Sequence, residues 1–206
     1  MQLTKIKIKN YRLLIEAELE VDPRTTLIVG RNNTAKTSCF SCIGKVLDGE
    51  TVSFDDYPLV RRKEFYKKID LFMEKKLAYE DFCKKIDVIS IEFLVDYSLD
   101  DPDDNLGALS PFIIDVDVDT TTALIRAEYR LKTDEKSLWS LLESSYYKDG
   151  AYSPSEEAHK ELVDNFGKLF GLTVYAVNPN NPEDKQVKSQ KLSLIHISEP
   201  TRRYAI

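Results

Sequence analysis

An α/β fold is predicted, organised around a strand, a tight loop and the first turn of a helix. Three observations predict it. Residues 3–9 and 15–21 alternate apolar and polar side chains, the period of half-buried strands. Residues 25–29 (TTLIV) are β-formers that run straight into Gly30. From Gly30 to Thr37 the chain follows G-x-x-x-x-G-K-[ST] at every fixed position but one.

That spacing suits a polyphosphate. Backbone N–H groups of a loop and of a helix N-terminus supply aligned partial positive charge. Gly30, Asn32, Asn33, Thr34 and Ala35 form the candidate loop. Lys36 brings a mobile ammonium to the β- and γ-phosphates, and Ser38 is placed to donate to the next one. Thr37 offers a hydroxyl to Mg²⁺, which prefers hard oxygen ligands. The departure is Ala35, where the pattern has glycine. If this position needs φ > 0, alanine costs about 1–2 kcal/mol, or about tenfold in affinity.

The 206 residues are enough for one domain with a real core. A net charge of −6 and a pI near 5.1 argue against a chain-wide nucleic-acid surface. No apolar run is long enough to span a membrane. The N-terminus MQLTKIKIKN has a strand pattern and not that of a signal peptide. Three cysteines in such a chain point to a reducing, cytoplasmic setting. Cys39 and Cys42 form C-x-x-C, yet only Cys83 remains to complete a zinc site, so buried helix cysteines are the plainer reading.

The first two strands are expected to pair antiparallel, with Asn10, Tyr11 and Arg12 between them and a turn at Asp22-Pro23-Arg24. Residues 36–47 follow as a helix, with an apolar stripe of Phe40, Ile43, Val46 and Leu47, stopped by Gly49. Residues 53–57 are a cap or loop. Residues 59–76 are a basic amphipathic helix with Phe65, Ile69 and Phe72 on one face. Its Arg61-Arg62-Lys63 and Lys67-Lys68 runs touch phosphate or acidic partners, or are simply solvated. Residues 79–86 form a short helix, and 88–97 pair with 121–132 as strands. Helices are expected at 134–146 and 155–170, the second ended by Gly171. A buried strand at 172–177 and a Pro/Asn turn region at 178–185 complete the pattern. His159 is expected to be solvated on a polar helix.

Two acidic runs have double readings. Phe112-Ile113-Ile114-Asp115 imitates the apolar strand and Asp of nucleotide hydrolases, but Val116 stands where a Glu is usual. Asp117 and Asp119 alternate with valines like one wet strand face. The cluster at 100–104 suits either a divalent cation or a solvated hairpin turn.

Two strands before the loop, the Asn10-Tyr11-Arg12 run and G-x-N-N-x-(G)-K-T-S together resemble ABC-type ATPase heads of the RecF, SbcC and SMC kind. The chain looks most like the OLD-family AAA ATPases, ATP-dependent endonucleases whose phosphate loops often read GRNN-S/T-GKTS. The resemblance covers residues 1–48 well and 49–190 only in pattern. It implies a P-loop NTPase fold: an ABC-ATPase-head-like N-terminal lobe with an antiparallel β-subdomain at about 88–132. It implies ATP and Mg²⁺ as ligands and places Arg12 near the nucleotide. It also implies a homodimer through the head, and DNA contacted through C-terminal Toprim nuclease regions, with roles in DNA repair or anti-phage defence. The signature Ser-Gly-Gly run and the Asp-Glu strand of such heads are missing. A RecF/SMC-type head without nuclease shares the pattern. A lapsed ATPase acting as a dimerisation or docking module fits Ala35. Residues 192–202 (LSLIHISEPTR) resemble a translated sequencing-library adapter. Residues 1–191 are therefore expected to be a partial head that continues in the native protein, and 192–206 a non-native tail.

Overall fold

The computed structural model describes residues 1–31, 35–98, 106–114, 120–155 and 157–188. The chain opens with β1 (Gln2–Tyr11) and β2 (Leu14–Glu20), joined by a two-residue turn. Then come α1 (Lys36–Asp48), a 3-10 turn at Phe54–Asp56, α2 (Leu59–Met73) and α3 (Tyr79–Lys85). Strand β3 (Ile89–Asp96) leads through a second 3-10 turn, Gly107–Phe112, to β4 (Thr122–Leu131). Helix α4 (Glu135–Tyr146), the small hairpin β5 (Tyr147–Lys148) and β6 (Ala151–Tyr152), α5 (Ala158–Asp164) and α6 (Phe166–Leu169) follow. Strands β7 (Phe170–Asn178) and β8 (Asn181–Lys188) close the described chain.

Six strands form one antiparallel sheet in the order β2-β1-β3-β4-β7-β8. The alternation in the sequence sets its two faces. Ile8, Ile91, Ala127 and Val174 lie in register across four strands, as do Ile6, Phe93, Ile125 and Ala176. All eight are buried, and they share the core with Cys42 and Val46 of α1 and with Phe65 and Ile69 of α2. Aromatic rings fill the far side of this core: Phe166 stacks on Phe170 at 4.3 Å and meets Phe54 edge-on at 5.3 Å.

Four expectations need correction. Residues 25–29 are not a sheet strand; they form no regular secondary structure, with Leu27 79% and Val29 77% exposed. A strand takes its hydrogen bonds from neighbours, and β1 is already flanked by β2 and β3. Residues 88–132 do not form a separate sheet; β3 and β4 are the centre of the six-stranded one. The helix expected at 155–170 breaks at Asn165, whose side-chain amide donates to the Glu161 carbonyl at 2.9 Å. Gly171 then lies within β7, opposite Arg130, rather than ending a helix. The turn expected over 178–185 spans only residues 179–180, and β8 begins at Asn181. Pro182 is tolerated there because β8 is an edge strand.

The break at Asn165 lets α6 press on the segment after α1. A Cβ on Gly167 would stand 2.9 Å from the Val52 carbonyl oxygen, inside normal contact. Gly167→Ala is therefore expected to destabilise the fold by about 1–3 kcal/mol through overpacking. An alanine in an open helix would instead stabilise by up to about 1 kcal/mol. Urea unfolding at constant m-value reads the sign directly.

Candidate functional site: the loop before α1

Helix α1 is fixed along its length and at its C-terminus. Ser38, Cys42 and Val46 form its buried row, at i, i+4 and i+8. The expected stripe is thus rotated: Ile43 and Leu47 pack at its edge, and Phe40 points outward at 59% exposed. The Tyr11 hydroxyl and Ser41 Oγ share a hydrogen bond of 2.9 Å, and burial pushes the Tyr11 phenol up to about 12. Gly49 takes the left-handed cap conformation at φ 69°, which glycine permits without strain. Next to it the Tyr129 hydroxyl donates to the Glu50 carbonyl at 2.9 Å. The N-terminal turn, by contrast, faces outward, with Thr37 exposed.

Ala35 is the N-cap of α1 and has φ 64°, ψ 9°. The backbone there adopts the conformation that the motif's glycine serves, yet it carries a methyl group. Strain of about 1–2 kcal/mol follows. Its carbonyl still starts the helix, accepting from the Cys39 N–H at 2.9 Å. Lys36 turns back over the loop: its ammonium donates to the Gly30 carbonyl at 2.5 Å and the Arg31 carbonyl at 2.7 Å. Gly30, Ala35, Lys36 and Thr37 are thus brought together. Ser38 is adjacent but only 8% exposed. Asn32, Asn33 and Thr34 lie outside the described residues.

The ensemble offers an anion a helix N-terminus, one ammonium and one hydroxyl. Among the described residues no group of three or more His, Cys, Asp or Glu is placed to hold a metal. Thr37 alone fits Mg²⁺ only as it arrives on phosphate oxygens with its own water, the usual mode for this ion.

Arg12 is built into a different network. Its backbone is left-handed at φ 51°, and its N–H donates to the Asp56 carbonyl at 2.8 Å. Its guanidinium donates to Asp56 Oδ1 from Nε at 2.9 Å, with Nη2 at 2.8 Å. Lys45 approaches Asp56 Oδ2 at 3.5 Å, and the Ser53 N–H donates to the same oxygen at 3.1 Å. Arg12 and Lys45, from the last turn of α1, thus share the Asp56 carboxylate. Asp56 is only 2% exposed and was hidden in sequence within the 53–57 loop. The spacing Ser53-x-x-Asp56, a capping-box pattern, was its one signal.

Other candidates resolve as packing. Burial pushes the Cys42 thiol up to about 12 and raises Cys39 as well, so neither is a reactive thiolate. His159 is not simply solvated. It stacks on Tyr66 at 4.1 Å, and its Nε2 lies 2.8 Å from Asp70 Oδ1. Of the basic face on α2, Arg62 turns inward to the carbonyls of Tyr57 and Phe54, and Lys68 pairs with Asp87 at 3.5 Å. Phe112 is buried in the second 3-10 turn. Asp115, Asp117, Asp119 and the cluster at 100–104 lie outside the described residues, as does the tail at 192–206.

Asp56 gives the site a pH signature. Burial alone would raise its carboxyl, but the Ser53 N–H, Arg12 and Lys45 outweigh it and hold the group below its ordinary value. A depressed carboxylate stabilises the fold above its unfolded pKa and loses that contribution as pH falls through the folded value. The stability difference between the parent and Asp56→Asn is therefore expected to be full above about pH 5 and to shrink below about pH 4. Thermal unfolding across that range checks it, and a difference independent of pH sinks the assignment.

No curated protein matches this chain. Among solved structures, one described as "Structural biochemistry of ATP-driven dimerization and DNA stimulated activation of SMC ATPases" aligns with 79% of this chain and 78% of its own. The identity there is 13% and the TM-score 0.37. A family model described as AAA ATPase domain (AAA_15) matches residues 1–200, and the chain belongs to that family.

Proposed function

We propose that this chain is the ATP-binding part of an OLD-like ATP-dependent endonuclease acting on DNA. The observation that carries the nucleotide reading is the left-handed residue 35 set directly before the outward-facing N-terminus of α1. Lys36 is already poised over the loop there. Charged phosphate oxygens are stronger acceptors than the two carbonyls it now contacts. On binding, its ammonium would transfer to the β- and γ-phosphates. The α1 dipole and the loop N–H groups would carry the rest of the charge. Thr37 would enter the shell of Mg²⁺ held on the same phosphates. Family membership supports ATP as the nucleotide. The exposed Leu27 and Val29 support a head in which residues 25–29 gain strand neighbours, in keeping with a second head docking as a homodimer. The endonuclease assignment and DNA as substrate rest on the loop resemblance.

Ala35 favours a second reading, a lapsed ATPase acting as a docking module, and one experiment separates the two. Mg-ATP is titrated into the purified chain by calorimetry. Binding is expected, weakened at least tenfold by Lys36→Ala, since removing a charged contact costs about 1.5–3 kcal/mol. Ala35→Gly is expected to tighten it by up to about tenfold. The same change should stabilise the free protein by about 1 kcal/mol, the relief of strain less the added chain entropy. No heat of binding from either the parent or Ala35→Gly would leave the docking module as the better account.

A further inference from the structure

The turn between α2 and α3 and the start of α4 enclose an open cavity of about 460 Å³, outside the loop site. Phe72 and Leu77 give it apolar surface, Trp139 one aromatic wall, and Glu135, Lys75 and Lys76 its charges. The walls are tied together. The Tyr147 hydroxyl donates to the Met73 carbonyl at 2.8 Å, and the Tyr79 hydroxyl donates to the Thr133 carbonyl. Trp139 meets Phe72 edge-on, with centroids 5.8 Å apart.

Lys75, two residues beyond α2, is in the left-handed region at φ 61°, its N–H donating to the Phe72 carbonyl at 2.9 Å. The Lys76 N–H donates to the Leu71 carbonyl at 2.9 Å, so the turn is locked on both sides and both lysines line one cavity. The Lys75 ammonium lies 5.2 Å from the Trp139 ring centroid. Lys76 is held at the rim by Glu74, at 2.5 Å.

We propose that this cavity binds a nucleobase bearing a phosphate, the base stacked on Trp139 and the phosphate on Lys75 and Lys76. Base–aromatic stacking outweighs an exposed cation–π contact, so the base displaces the Lys75 ammonium from the indole. The freed ammonium then meets the phosphate, a stronger partner than a ring face. Glu135 remains as an acceptor for an exocyclic amine or a sugar hydroxyl. The volume lies within the range of about 300–1,000 Å³ usual for small-ligand sites. The ligand is either a free nucleotide or one unit of a single strand.

Trp139 is the only tryptophan in the chain, so its fluorescence reports this cavity alone. AMP, adenosine and a short single-stranded oligonucleotide are titrated into the full chain and into Lys36→Ala, which separates this site from the phosphate loop. Saturable quenching by AMP is expected in both. Adenosine should bind about tenfold more weakly for want of the charged contact. The double variant Lys75→Glu, Lys76→Glu alters exposed side chains, and with an unchanged circular dichroism spectrum it should weaken AMP at least tenfold. An oligonucleotide that binds more tightly than AMP, with a steeper salt dependence, identifies a strand as the source. Equal binding identifies the free nucleotide. The proposal fails if no ligand quenches saturably, if adenosine matches AMP, or if the double variant binds as the parent does.

Discussion

A single buried carboxylate holds the working end of this fold in register. Asp56 receives the backbone and guanidinium of Arg12 through its carbonyl and side chain, and the Ser53 N–H and Lys45 through its second carboxylate oxygen. Those partners belong to the β1–β2 turn, the 3-10 turn and α1. A charge this deeply buried is tolerated only when it is paired and hydrogen-bonded. The same requirement fixes the distance between the hairpin and the helix. The Tyr11–Ser41 bond repeats that link one residue earlier on the hairpin and one turn earlier on the helix. The position of α1 thus follows from its contacts with the hairpin and the 3-10 turn.

The opposite face of the sheet carries charge but little net field. Lys5 and Lys7 on β1 pair with Glu18 and Glu16 on β2, Arg126 with Glu92, and Glu128 with Arg130 and Lys185. The exposed pairs of Lys5 and Lys7 contribute little to stability, whereas Glu128 is buried and needs its partners. Among the described residues of this face, these cations are matched by carboxylates across neighbouring strands, which offsets the positive charge that would track a nucleic-acid backbone. The helical side likewise turns Arg62 and Lys68 to internal partners.

Local pattern carried most of the architecture. Alternation located β1 and β2, and the 3.6-residue period located α2, whose Phe65, Ile69 and Phe72 are buried on one face. The losses came where burial was decided by distant neighbours. Residues 25–29 have the composition of a buried strand, yet composition cannot supply the adjacent strand that would bury Leu27. Phe40 belongs to a plausible apolar stripe, but the Tyr11–Ser41 contact sets a different rotation for α1. Asn165 ends a helix that periodicity would continue, and beyond it Phe166 stacks on Phe170 and meets Phe54 edge-on. Of the loop site, the motif named Lys36, Thr37 and the strain at Ala35. It gave no hint that Arg12 answers to Asp56, since that pairing crosses 44 residues and depends on the folded chain.

Three non-glycine residues near the site hold left-handed backbones, and they differ in what keeps them there. Asn10, at φ 57°, donates its side-chain amide to the Val88 carbonyl at 3.1 Å. Arg12 is held through Asp56. Both have side chains that offset their own strain. Ala35 has none: its methyl group makes no hydrogen bond, and the motif's usual glycine would have no Cβ to strain. Its conformation must be imposed from outside, by the packed row Ser38–Cys42–Val46 that locks α1 against the core. Strain of about 1–2 kcal/mol is small beside the burial of that row and of the rings around it. The scaffold therefore enforces a left-handed backbone on a residue that does not favour it. Sequence alone reads Ala35 as damage to a motif; in the fold this residue keeps a left-handed backbone all the same.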